Sequence, residues 1–195
     1  MLPVYAIPTS LPVEDISSFT LMDICTYIID QPHSKEVVAE VVAYIGRDPQ
    51  RMDELMQGFM TGSYRLAQRA AWTIRKIGDT HPDMVQPYIS DLIPLLQAEV
   101  HDAIPRNILA LFAQWELPED TWGPLWDLCF EWLNNPQKPI AIRVHAMTVL
   151  GNIASHYPEL AGELHMVIES HMPEGSAGFQ SRGRKILKKL DKILA

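Results

Sequence analysis

Apolar residues recur along the chain in two stripes, each spaced three and four residues apart, as on a helix buried along one side. In the segment SYRLAQRAAWTIRKIGDTHP the stripe is Leu66, Ala70, Ile74 and Ile77. It returns in steps of 38, first as Ile104, Ile108, Phe112 and Trp115, then as Ile142, Ala146, Leu150 and Ile153. A second stripe precedes it in each unit. Met52, Leu55, Met56 and Phe59 repeat in steps of 37 as Ile89, Leu92, Ile93 and Leu96, then as Trp126, Cys129, Phe130 and Leu133. Pro32, Pro49, Pro82, Pro118, Pro136 with Pro139, and Pro158 fall between the predicted helices, where a missing N–H and a fixed φ do no harm. No run of alternating β-branched residues between these turns predicts a strand.

A unit of 37 or 38 residues with two amphipathic helices cannot bury both stripes by itself, so neighbouring units must stack and share a core. The pattern therefore predicts an α-solenoid, with helix pairs over roughly 19–47, 48–82, 85–118, 121–158 and 160–195. Residues 1–18 read as an irregular N-terminal arm, and their Leu2, Val4, Tyr5 and Ile7 are available to cover the end of the stack.

The segments YRLAQRAAWTIRKIG and PIAIRVHAMTVLGNIASHYPEL resemble second helices of HEAT repeats. Each has a small residue, Ala70 or Ala146, at close packing, and a glycine, Gly78 or Gly151, late in the helix. Pro94 within ISDLIPLLQ resembles the proline that bends many HEAT first helices. The closing stretch SAGFQSRGRKILKKLDKIL is similar to the end of a group of short bacterial HEAT-like proteins of unassigned role, some labelled adenylosuccinate lyase, although no lyase signature stands in this chain. The resemblance implies an all-α, right-handed α-solenoid of about five HEAT-like helix pairs, with the second helices lining the concave surface.

Composition narrows the picture. The 195 residues are 47% hydrophobic and 21% charged, the balance of a folded chain and not of a disordered or collagen-like one. No run of eighteen apolar residues predicts a membrane span. The stretch MLPVYAIPTSLPVED lacks a positive n-region, so a cytoplasmic location is expected,. Cys25 and Cys129 stand singly in apolar helical patterns and read as reduced core thiols,. The net charge is −8, but residues 182–195 hold six basic side chains against Asp191 alone and so carry +5, leaving −13 on residues 1–181. Such a body repels phosphate backbones. The basic segment reads as the solvated face of a last helix, since Ile186, Leu187, Leu190, Ile193 and Leu194 recur among its charges,.

At 100° per residue, Trp72 falls nearly opposite the buried stripe of its helix, beside Arg65, Gln68, Arg69, Arg75 and Lys76,. An aromatic ring flanked by guanidinium groups can anchor a peptide whose carboxylates the arginines pair with. The same face in later units brings Arg106 and Arg143 toward it. Trp72, Arg65, Arg69, Arg75 and Arg106 are the candidate partner-binding residues, for a protein or peptide with acidic residues, without a membrane or nucleic acid. The opposing reading is an arginine–aspartate ladder between repeats, for which Asp79, Asp83, Asp91 and Asp102 are available. Trp115, Trp126 and Phe130 read as core, and one of Trp122 and Trp132 as exposed. No catalytic residue, metal site or cofactor is expected, because HExxH, GxSxG, P-loop and GxGxxG patterns are all missing from the sequence,. The sequence thus predicts a non-enzymatic protein-binding scaffold. The alternative is a DNA-binding protein of the alkylpurine DNA glycosylase type, a class of HEAT-like stack to which Trp72, Arg75 and Asp79 bear a partial likeness.

Overall fold

Short polar side chains begin the helices. Asp23, Ser34, Asp48, Ser63 and Ser176 each turn an oxygen onto a backbone N–H of the following turn, at 2.8 to 3.3 Å, satisfying donors that have no partner within the helix. Pro49 takes the first position of its helix, where a missing N–H costs nothing,. The computed structural model describes residues 22–195, and the helices there are α1 (Ile24–Asp30), α2 (Lys35–Ile45), α3 (Pro49–Thr61), α4 (Tyr64–Thr80), α5 (Pro82–Val85), α6 (Ile89–Gln97), α7 (Ala103–Phe112), α8 (Trp122–Asn134), α9 (Ile140–Ile153), α10 (Ala161–His171) and α11 (Ala177–Leu194). No strand occurs among the described residues. The N-terminal arm predicted over residues 1–18 lies outside them.

The longer pairs, α1 with α2, α3 with α4, α6 with α7, α8 with α9 and α10 with α11, form an all-α repeat stack. Its spine is the row of second helices, in which α2 packs on α4, α4 on α7, α7 on α9 and α9 on α11. First helices pack on their own partners and also on neighbouring units, α1 on α3 and α4, α6 on α8, and α10 on α9. Both predicted stripes of α3 and α4 are buried, from Met52 through Phe59 and from Leu66 through Ile77. Pro94 lies inside α6, as in the HEAT pattern.

The late glycines are contact points. A methyl group at Gly78 of α4 would come within 2.8 Å of both methyls of Leu111 on α7 and 2.9 Å of the ring of Trp115, just past the end of that helix. One at Gly151 of α9 would meet Ile186 of α11 at 2.9 Å. Branched side chains of the following second helix thus press onto bare backbone, which sets the helices at close range.

The stripe predicted for α8 is rotated. Leu125, Cys129, Trp132 and Leu133 are buried, whereas Trp126 and Phe130 are half-buried and stack on each other with centroids 5.7 Å apart. Two rings at i,i+4 can pair along a helix flank and keep one face on the protein, so the inner positions pass to Leu125 and Trp132. Trp115 is likewise half-buried. Of the remaining pair, Trp132 is the buried member and Trp122 the half-buried one, stacked on His156 at 4.4 Å. Cys129 is enclosed, and burial pushes its thiol far above the ordinary range, a poor setting for a nucleophile. Cys25 is half-buried.

Gly78→Ala is expected to destabilise the fold by about 1–3 kcal/mol through overpacking against α7. Gly123→Ala, in a helix position with nothing within 4 Å, is expected to stay within about 1 kcal/mol of wild type on the stabilising side. Urea denaturation of the two variants checks the contrast.

Candidate functional site

Trp72 stands half-buried in the middle of α4, on the side turned away from the Leu66–Ile77 stripe. Its ring meets His33 edge-on, with centroids 5.3 Å apart. His33 comes from the α1–α2 connection, which holds no pattern that marks it in the sequence. Two clefts share Trp72 and Arg75 as walls. One, between α2 and α4, encloses about 610 Å³ and is floored by Val38, Ala39, Val42 and Ala43, with Lys35 and Lys76 at its rim. The other, between α4 and α7, encloses about 290 Å³ and adds His33, Gln68, Ala103, Arg106 and Asn107.

The candidate arginines part ways here. Arg65 is exposed in the first turn of α4, and Arg106 is exposed on α7. Arg75 lies half-buried, with its Nε 3.8 Å from Asp79 of the same helix. That contact is ionic and too long for a hydrogen bond, so the buried Nε has no hydrogen-bond partner. Arg69 departs from the expected role. Its Nη1 donates to the backbone oxygens of Ile28, Ile29 and Gln31 at 2.8 to 2.9 Å, so it caps the C-terminal end of α1, where carbonyls lack partners and a positive charge is favoured. Arg143 does likewise for α8. Its Nε donates to the Leu133 oxygen at 3.0 Å, its guanidinium lies 5.0 Å over the Phe179 ring, and it is buried. It therefore does not face Trp72.

His145 and Arg182 take the place expected of Arg143. His145, half-buried on α9, is held down to about 4 by burial, and then by the charges of Arg75, Arg182 and Arg106. The charges that bear on this imidazole thus come from three second helices. The sequence holds the signal for two of them, since Gln68, Arg106, Val144 and Arg182 follow one another in steps of 38. The remaining basic side chains of the last helix mostly face water: Arg184, Lys185, Lys188 and Lys192 are exposed, while Phe179, Ile186 and Leu190 are buried beneath. An arginine–aspartate pair bridges separate helix pairs at Arg47–Asp83, 3.0 Å apart and open to solvent, where it adds little stability. Asp91 and Asp102 form no ion pair among the described residues.

A third cleft, of about 480 Å³, lies at the other ends of α7 and α9 and is lined by Trp115, Trp122, Asn152, His156 and Lys189. Lys189 donates to Asn152 Oδ1 at 3.1 Å. No group of three or more His, Cys, Asp or Glu side chains among the described residues could hold a metal ion, and no helix there is long and apolar enough to cross a membrane.

A stack of amphipathic helix pairs with its polar and aromatic side chains arrayed along one row of helices defines a helical-repeat protein. A family model of the HEAT repeat domain matches residues 27–190, and the chain belongs to that family. No curated protein and no solved structure matches it.

Arg69→Met, which keeps the apolar stem and removes the cap, is expected to destabilise the protein by about 1.5–3 kcal/mol, since the carbonyls bonded to a charged donor are left unmet. Arg65→Ala is expected to cost under about 0.5 kcal/mol. Hydrogen exchange checks the location, with loss of protection beginning in α1. His145 gives a pH signature. The unfolded chain protonates this residue near the ordinary 6.5 and the folded protein only near 4, so stability falls as pH drops through that window. His145→Gln is expected to flatten this part of the curve in denaturation midpoints measured between pH 7 and pH 4.5.

Proposed function

We propose that this protein is a non-enzymatic scaffold that docks a protein or peptide segment along its second-helix, concave face, with Trp72 as the anchor. One observation carries the reading: an indole turned away from the core stands where an apolar cleft and a basic cleft meet. Clefts of this size take one or two side chains each, and a half-buried indole supplies a large contact area with little ordering cost. The apolar side of the junction suits a Leu- or Phe-sized side chain. The basic side, with Arg75 and Arg106, suits an acidic neighbour, and Arg65 lies one turn away on the exposed edge of α4. Membership of the HEAT family, whose stacks commonly serve as interaction surfaces, agrees with this use.

Pull-down from a lysate with the full chain as bait tests the anchor. Trp72→Ala is expected to weaken capture of its principal partner at least tenfold, and Trp72→Phe by less, while both keep the helical circular dichroism of the wild type. Full capture by a folded Trp72→Ala overturns the assignment. Tight binding of duplex DNA that falls steeply with salt would instead move the face to nucleic-acid recognition.

A further inference from the structure

The basic side of the Trp72 junction extends beyond the cleft between α4 and α7. Arg106 and Arg182 occupy the same register position two units apart, on helices that flank α9 and pack against it from either side. Val144 holds that register on α9, and His145 follows it. The side chains at the rim of this surface are thus Arg106 from α7 and Arg182 from α11, with Arg75 reaching in from α4 through the cleft it shares with Arg106.

Their partners are missing. Arg106 and Arg182 make no ion pair with any carboxylate among the described residues, and Arg75 has only Asp79, to one side and beyond hydrogen-bond range. The groups whose charge reaches His145 are the three arginines. On a chain of net charge −8, this is a local reversal of sign within a half-sheltered surface, where fields are less screened than in open water. Arginine is the side chain whose flat fork of donors matches a carboxylate in two-point fashion. Arg75 and Arg106 share one cleft, Arg182 holds the register of Arg106 across α9, and a bound anion relieves the repulsion among such cations.

We infer that Arg75, Arg106 and Arg182, gathered around His145 from three second helices, form a binding centre for a carboxylate, carried as an Asp or Glu side chain or as the free C-terminus of a peptide. The assignment rests on the peptide-docking reading and specifies its chemistry: the bound segment presents an acid to α7, α9 and α11, and an apolar side chain to the groove between α2 and α4. His145, neutral at the centre, is a reporter and a hydrogen-bonding neighbour.

The experiment is a titration of the full chain followed by the imidazole resonances of His145. The probes are acetate against chloride at matched ionic strength, then N-acetylglutamate α-amide, which has only the side-chain acid, and N-acetylglutamine, which has only the terminal acid. Acetate is expected to move the His145 ring saturably and chloride not, with Arg106→Ala and Arg182→Ala each weakening the response at least tenfold and Lys188→Ala less than twofold. The tighter of the two amino-acid probes identifies the source of the carboxylate. Equal responses to acetate and chloride, or arginine variants no weaker than Lys188→Ala, overturn the centre. Trp72→Ala separates this result from the docking reading. An acetate response that survives the substitution keeps the centre even if capture of the partner never depended on Trp72, and lost capture with no acetate response keeps the anchor alone.

Discussion

The contact of one second helix with the next, made at two joints over a bare glycine, is the constraint on which the rest of the structure depends. At Gly78 the α4 backbone receives Leu111 of α7 and Trp115 just beyond it, and at Gly151 the α9 backbone receives Ile186 of α11. A side chain at either point would push the row apart, and the first helices that pack on it would move with it. Units that contact only their neighbours have no distant contacts to compensate for a loosened joint. The spine also fixes how far apart side chains on successive second helices stand, so it carries the geometry of the surface as well as the stability of the stack.

That geometry explains why a repeat protein can build a site that no local motif announces. Trp72 and Arg75 come from one helix, Arg106 from the next and Arg182 from another two units farther on. Each is an ordinary surface residue by itself. The row brings them onto one face, where Asp79, 3.8 Å from Arg75, is the one carboxylate paired with any of these three arginines among the described residues.

The fold was legible because burial leaves a periodic mark. Two stripes at a common spacing, with prolines between, are a direct record of which side of each helix meets a neighbour. The stripe misread at α8 shows the limit, since two aromatic rings four apart satisfy themselves on a flank as readily as in the core. Arginine leaves no such mark. Arg65 and Arg69 are one turn apart on α4, yet the first reaches water and the second reaches carbonyls some forty residues earlier in the chain. Arg143 leaves its expected place for the same reason: a long side chain can bond to the end of another helix, and only the packing says whether one is in reach. The membership of Arg106 and Arg182 in one register was present in the spacing of 38. Their convergence on His145 needed the structure.

The first of the described helices shows how a short segment is held to such a row. With seven residues, α1 is too short to persist alone in water,. Its first amide donates to Glu54 of α3 at 2.9 Å, and its last carbonyls are gathered by Arg69 of α4. An anion at the amino end and a cation at the carboxyl end oppose the dipole of the segment from both sides. The segment is buttoned down by two charged side chains on two different neighbours, so that peeling it away breaks both together.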